Sequence, residues 1–414
     1  MSVRAAITGL GPVSAVGSGA AEFWRALVAG ESGTRGLTRF EPPRRGCAVA
    51  AEVREPAPLA LDPASPRSRA VQLALAAARL ALDDAALSLD GARERVGAIV
   101  GTGVGNLDLV ERALADVARG VRVHPSLAFR AFPHAAVCEL VREFDLRGPV
   151  ATLSTGCNSG ADAIGLALDW IRAGRADAVL VGGVEAELTP GFFALMSAAR
   201  ALAVRYNADP SRASRPFDAE RDGNVPGEGA AFLVVESQAH ARARGARIHA
   251  TLAGYASRAA GTRAPYDPFN PVFHPEPTAR ALAAALDDAA IAPERVSAVS
   301  ANGSSSVFYD AVEAAALASL FGARLAQVPV HSIKSMLGQT GAVTPALQVI
   351  AAALSIEHAL IPPTINVDAL DARCPLDLVR GEARRAPLEF VLCNATGFGG
   401  FYFSALVVGR DEAK

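Results

Sequence analysis

The segment Leu82-Asp83-Asp84-Ala85-Ala86-Leu87, followed by Glu94-Arg95-Val96-Gly97-Ala98-Ile99-Val100-Gly101-Thr102-Gly103, has an echo about 200 residues further on. The copy reads Leu286-Asp287-Asp288-Ala289-Ala290-Ile291, then Glu294-Arg295-Val296-Ser297-Ala298-Val299-Ser300-Ala301-Asn302-Gly303. Each version reads as the end of a helix, a short link, an apolar strand and a glycine-containing turn. A period this long is not that of a solenoid. It points to two similar halves, each with its own sheet, packed together. Chance matching in an alanine-rich chain is the competing explanation.

Strand-like and helix-like runs alternate through most of the chain. The strands include Val96–Val100, Ala178–Val181, Ala231–Val235 and Val296–Val299. Short apolar strands between helical stretches are α/β patterning, with helices on both sheet faces. The N-terminus reads as a strand over Arg4–Thr8, a tight turn, and a helix from about Ala20. Two Pro-rich stretches, Arg35–Arg69 and Tyr255–Pro277, read as irregular surface excursions.

One stretch carries a chemical signal. Ser154-Thr155-Gly156-Cys157-Asn158-Ser159-Gly160 follows a strand-like Pro149–Leu153 and precedes a helix running from Ala161 to about Ala173. The first amides of a helix are unpaired donors with partial positive charge. A thiol there is expected to ionise more easily and act as a nucleophile. The same amides can hold an oxygen that gains negative charge. Flanking glycines let a substrate approach the backbone. A buried structural cysteine is the alternative reading.

Composition removes other classes. The formal net charge is -2 and no basic run stands out, which argues against nucleic acid as a partner. The five cysteines (47, 138, 157, 374 and 393) form no CxxC pair, which argues against a zinc site or disulfide framework and fits a reducing compartment. No apolar run approaches the roughly 18–20 residues of a membrane span, and Gly9, Gly11, Pro12, Gly17 and Gly19 interrupt any signal-peptide-like region. The expectation is a cytoplasmic protein with no membrane partner. Gly101-Thr102-Gly103-Val104-Gly105 lacks the full GxGxxG spacing of a dinucleotide site. No metal, nucleotide or flavin site is visible.

Several motifs together resemble the elongating β-ketoacyl-acyl-carrier-protein synthases, from Thr8-Gly9-Leu10-Gly11 to the last strand near Val408. They are the turn at Cys157, the stretch Ser214-Arg215-Pro216-Phe217-Asp218 through Asp222-Gly223 to Gly227-Glu228-Gly229, Lys334-Ser335-Met336, Pro362-Pro363-Thr364-Ile365-Asn366, and Gly397-Phe398-Gly399-Gly400. The resemblance implies a thiolase-like α/β fold, duplicated and five-layered (αβαβα), with an N-terminal half over 1–250 that carries the nucleophile and a C-terminal half over 251–414. It also implies that Cys157 takes an acyl chain from a carrier-protein thioester. The 4′-phosphopantetheine arm of acyl carrier protein would be the substrate carrier, with no cofactor bound by the chain itself.

The family's two histidines are missing. Its HGT-type motif reads Asn302-Gly303-Ser304-Ser305-Ser306 here, with Asp310 and Glu313 following, and its GH pair reads Gly338-Gln339. By resemblance the catalytic positions are therefore Cys157, Asn302, Gln339 and Lys334. Asp310 and Glu313 support them; Ser304, Ser306, Phe398 and Gly399 meet the substrate or its phosphopantetheine arm. Carboxamides can donate to an oxyanion but cannot relay a proton as imidazole does. Phe401 and Tyr402 replace a polar pair in the family pattern, and Glu228 reads as structural. His331, three residues before Lys334, is expected to face away from it, leaving His274 in the Pro-rich loop as the substitute to test. His124, His134, His240, His249 and His358 match no motif position. Three functions fit for a protein handling acyl or malonyl thioesters in fatty acid or polyketide biosynthesis: a chain-length-factor-like subunit pairing with an active ketosynthase, as in type II polyketide, aryl polyene and related polyene systems, an acyltransferase loading Cys157 without decarboxylation, and an atypical active ketosynthase. The partners implied are acyl carrier protein and either a ketosynthase or a second copy of the chain.

Overall fold

Apolar runs rich in Val, Leu and Ala form strands wherever helices can cover both faces, and the alanine-rich amphipathic stretches supply those helices. The computed structural model describes residues 4–43, 46–54, 61–62, 65–261 and 274–411. The elements that position the site are β1 (Ala5–Ser14), α1 (Arg69–Ala85), β2 (Val96–Gly101), α2 (Ala135–Phe144), β3 (Val150–Leu153), α3 (Ser159–Arg172), β4 (Ala178–Glu185), α4 (Pro190–Ala198) and β5 (Gly229–Ser237), then β6 (Ala250–Ala259), α5 (Glu276–Ala289), β7 (Val296–Ser300), α6 (Tyr309–Phe321), β8 (Pro329–His331), α7 (Thr344–His358), β9 (Phe390–Thr396) and β10 (Tyr402–Gly409).

The strands run in the order β3-β2-β4-β5-β1-β6-β10-β9-β7-β8. Read outward from the β1–β6 junction, the two arms match: β1 with β6, β5 with β10, β4 with β9, β2 with β7 and β3 with β8. Antiparallel and parallel pairings fall at equivalent places in both arms. The expectation of a separate sheet for each half needs correction. β1 pairs with β6 over Ala5–Ile7, so hydrogen bonding is continuous from one arm to the other. The fold is the thiolase-like five-layered arrangement. α1 and α2 cover the outside of the first arm, α5 and α6 the outside of the second, and α3 and α7 lie between. α7 is buried on all sides over Thr344–Ile356, as a helix in the middle layer must be.

The echo noted in the sequence is a structural repeat down to its side chains. α1 and α5 both end on an alanine in the left-handed region, Ala86 at φ 45° and Ala290 at φ 54°, and each alanine N–H reaches back to the carbonyl of Asp83 or Asp287. The next acid does the same work in both arms. Asp84 accepts the Leu10 N–H at 2.9 Å and Asp288 the Tyr255 N–H at 2.9 Å, each two residues past a bulge in the adjoining strand. Both alanines are exposed, and an L-residue in this backbone region costs energy that glycine avoids. Ala86→Gly and Ala290→Gly should each raise stability by about 0.5–1 kcal/mol, read as a higher denaturant midpoint with unchanged slope.

The N-terminal strand is longer than its sequence suggests. Gly9, Gly11 and Pro12 do not form a tight turn; the strand bulges at Thr8 and continues to Ser14. The two glycines are there because α1 lies against them: a Cβ would fall 2.1 Å from the Ala81 carbonyl oxygen at Gly9 and 2.0 Å from that of Ala77 at Gly11. The described residues of Arg35–Arg69 are largely irregular apart from two short paired strands; residues 44–45, 55–60 and 63–64 of that stretch lie outside the described residues. The second excursion is shorter than expected, because Tyr255–Ala259 completes β6 and Pro277 falls in the first turn of α5, where proline is tolerated. Residues 262–273 of that stretch lie outside the described residues. No helix among the described residues is long and apolar enough to cross a membrane.

Candidate active site

Parallel strands gather their carboxyl ends at one place, and open α/β sheets put ligands there. Cys157 follows β3, Gly103 follows β2, Glu185 closes β4, Asn302 follows β7 and Lys334 follows β8. The Cys157 turn is tightly tied. Gly156 takes φ 60°, the Ser159 hydroxyl accepts the Thr155 N–H at 2.9 Å, and α3 begins at Ser159, two residues earlier than its sequence suggests. Asp162, in the first turn of α3, accepts from the Thr155 hydroxyl, from Tyr255 Oη at 2.7 Å and from Ser404 Oγ at 2.6 Å. Asn158 Nδ2 also reaches Ser404, at 3.1 Å. The nucleophile turn is therefore pinned by residues of β6 and β10, from the other arm.

The thiol is not activated as the helix-terminus argument expected. Burial pushes Cys157 above its ordinary value and Glu187 pushes the same way; the Phe398 N–H donated to the sulfur and the charge of Lys334 only partly offset them. Lys334 is itself buried, and desolvation brings its ammonium down to about 8. Its Nζ donates to Asn302 Oδ1 at 2.8 Å, and the Thr396 N–H donates to the same oxygen at 3.2 Å. With the oxygen fixed by two donors, the amide nitrogen of Asn302 is the end left to donate.

The supporting acids hold that turn. Glu313 accepts the N–H groups of Asn302 at 2.7 Å and Gly303 at 2.8 Å, and Asn394 Nδ2 at 2.6 Å. Asp310 accepts the N–H groups of Ser304 and Phe217, both at 2.8 Å. Ser304 and Ser306 are engaged locally: the first hydroxyl bonds Asp310 at 3.4 Å, and the second accepts the Tyr309 N–H at the start of α6. The Gly399 N–H donates to the Tyr309 hydroxyl at 2.6 Å, and Phe398 is 41% exposed at the mouth of the site.

A cavity of about 170 Å³ opens on the sulfur. Cys157, Gln339 and Phe398 line it, with Phe192, Met196 and Leu202 giving it an apolar side. Asn302, Lys334, Ser304 and Ser306 do not line it. Gln339 is held there by its backbone, which bonds Val225 at 2.7 Å and Gly227 at 2.8 Å. No histidine lines the cavity. His331 is buried and held neutral, its value driven down to about 4 by burial. His124, His134, His274 and His358 are exposed, His240 bonds Glu236, and His249 lies between Asp84 and Glu357. Glu228 is structural, paired with Arg69 through both oxygens at 2.7 Å. All five cysteines are free, and no described group of His, Cys, Asp or Glu is arranged to hold a metal.

Family models for the β-ketoacyl synthase N-terminal domain and C-terminal domain match residues 3–241 and 249–368. The chain belongs to the β-ketoacyl synthase family. It is 38% identical over 430 residues to the tetracenomycin polyketide synthase ketoacyl synthase alpha subunit of Streptomyces glaucescens, covering 99% of this chain and 98% of that one. Among solved structures it superposes on the ishigamide ketosynthase/chain length factor with TM-score 0.90 at 35% identity, covering 99% of this chain and all of that one. It also matches a type II polyketide ketosynthase in complex with its acyl-carrier protein and bound to a hexaketide, with TM-score 0.89 at 33% identity, covering 99% of this chain and 100% of that one.

Sequence reasoning missed three polar residues of a family member's cavity: Glu185, Glu187 and Asn224. The signal was present, since Glu185-Ala186-Glu187 puts two acids at the carboxyl end of the otherwise apolar β4.

Proposed function

We propose that this chain is a chain-length-factor-like β-ketoacyl synthase subunit. It accepts acyl groups from acyl carrier protein and leaves decarboxylative condensation to a partner carrying both imidazoles. The observation that supports it is the pairing of an open cavity on Cys157 with Asn302 and Gln339 where the family's proton-handling histidines stand, and with no other histidine lining that cavity.

In this reading Cys157 sulfur attacks the carrier-protein thioester. A bond forms from sulfur to the acyl carbon, the bond to pantetheine sulfur breaks, and the proton given up by Cys157 ends on the pantetheine thiol. Lys334, cationic at neutral pH, favours the thiolate. The Phe398 N–H serves as a donor to the thioester oxygen, and Asp310 and Glu313 hold the turn that presents Asn302 to Lys334. Gln339 closes the cavity. Ser304, Ser306 and Gly399 lie on the pantetheine side, with Phe398 at the entry.

Pairing with a second synthase-like chain uses β3, which ends the sheet with an open hydrogen-bonding edge and a Val150 that is 45% exposed. Incubation with acyl-carrier protein should add one acyl mass on Cys157 by mass spectrometry, and Cys157→Ala should abolish it. Absence of any acyl adduct on the wild-type chain, alone or with its partner, would sink the reading.

A further inference from the structure

The Cys157 cavity is apolar on one side only. Its other side carries Glu185, Glu187 and Asn224, and among the described residues no basic one lines it. Glu185 is fully occupied: it accepts the N–H groups of Gly103 at 2.8 Å, Val104 at 3.1 Å and Ala342 at 3.3 Å, and the Thr102 hydroxyl at 3.1 Å. Glu187 is 5% exposed, and no donor reaches its carboxyl among the described residues. Asn224 Oδ1 is likewise buried without a partner. The two carboxyls converge on Gly341. A Cβ at that position would stand 3.0 Å from Glu185 Oε2 and 3.2 Å from Glu187 Oε2, and Gly341 takes φ 52°, so the absence of a side chain there makes room for the second acid.

An unpartnered carboxyl on this wall is an acceptor waiting for a donor. A hydrocarbon chain entering this cavity would leave it unsatisfied. A chain carrying an ammonium group would satisfy it with a charge-assisted hydrogen bond. We propose that the cavity selects acyl chains bearing a protonated amine within the first few carbons from the thioester, with Glu187 as the specificity-determining carboxylate.

The electrostatics agree. Burial, and then the neighbouring Glu185, raise Glu187 well above the ordinary carboxylate range; burial raises Glu185 as well, and its four donors offset that only in part. An ammonium ion beside Glu187 would favour its ionised form.

This inference rests on Cys157 as the acyl acceptor, and the test separates the two. The wild-type protein, with its partner if it has one, is offered 3-aminopropanoyl-, 3-hydroxypropanoyl- and butanoyl-pantetheine, and loading on Cys157 is followed by mass spectrometry. The amine should load at least about 10-fold faster than butanoyl, with the hydroxyl between them. Glu187→Gln, which keeps the shape and removes the charge, should collapse that ratio to about one, and the ratio is unaffected by the fraction of protein that is folded. Butanoyl loading as fast as the amine, or a ratio unchanged in the variant, overturns the proposal. If no thioester loads, acyl transfer to Cys157 is what fails. The pocket is then judged by calorimetry on Cys157→Ala with the corresponding aminoacyl and butanoyl pantetheine amides, by the same 10-fold criterion: tighter amine binding upholds it and equal binding overturns it.

Discussion

Malonyl-carrier protein offered to the isolated chain should lose CO2 at least about 10³-fold more slowly than with a two-histidine synthase of the same family assayed alongside. Decarboxylation leaves negative charge on an enolate oxygen, and the carbanion end must then attack the acyl thioester. Oxyanion help survives in part, because Asn302 is oriented by Lys334 at 2.8 Å and by Thr396 at 3.2 Å, with its amide group left to donate. Proton transfer does not survive. It is worth roughly 10²–10⁴-fold, and no carboxamide has a titrating nitrogen near neutral pH. Replacing both residues, Asn302→His with Gln339→His, should recover at least about 10-fold of the rate. The two changes should act as a unit and not additively. Condensation by the wild-type chain within about 10-fold of the control would show that amides suffice and would remove the reason for assigning it a non-condensing role.

The two-arm architecture was legible because duplication left a pattern in residues that do structural work. Asp84 and Asp288 are conspicuous in the sequence for the same reason that they cap bulged strands in the fold. The nucleophile turn, the Asn302 turn and the Lys334 strand end were legible through short motifs whose residues bond one another locally. What stayed hidden was tertiary. That the two arms share one hydrogen-bonded sheet depends on Ala5–Ile7 meeting Ala250–Leu252, a pairing with no local signature. That Gly9 and Gly11 serve a helix contact depends on Ala77 and Ala81, which are distant in the chain. The thiol's environment was misjudged because helix-end amides can be read from sequence, whereas burial and the approach of Glu187 cannot. Glu187 itself was in view as a residue. Its meaning required knowing that Gly341 lies opposite.

Asp218→Ala should cost about 3–5 kcal/mol of folding stability. Asp218 and Arg215 are both sealed from solvent, with the Arg215 Nε donating to Asp218 at 2.8 Å. The same carboxylate accepts the N–H groups of Glu220 at 2.8 Å, Asp368 at 2.8 Å and Ala369 at 3.0 Å. Removing it leaves a buried guanidinium whose remaining carboxylate, Asp368, is 62% exposed and screened by water, and whose Nη1 already lacks a partner. The Tyr206 ring, 4.5 Å from the guanidinium carbon, offsets only part of this. Asp218→Asn keeps the volume and one acceptor and should fall between the two.

The pH dependence carries a sign that checks the cause. Burial alone would raise Asp218, but Arg215 and the backbone donors outweigh it and hold it below the ordinary carboxylate range. Its contribution is therefore complete above that range and is lost as the pH falls through the lowered folded value, so the gap between wild type and Asp218→Ala should narrow in acid. A gap under about 1 kcal/mol at neutral pH, or one that widens in acid, would mean that the pair is not what holds this loop. The loop bears on the site as well: the Arg215 N–H donates to the Ser305 hydroxyl and the Phe217 N–H to Asp310, so the turn presenting Asn302 leans on it. Acyl loading of Cys157 should therefore fall in Asp218→Ala even at temperatures where the variant remains folded.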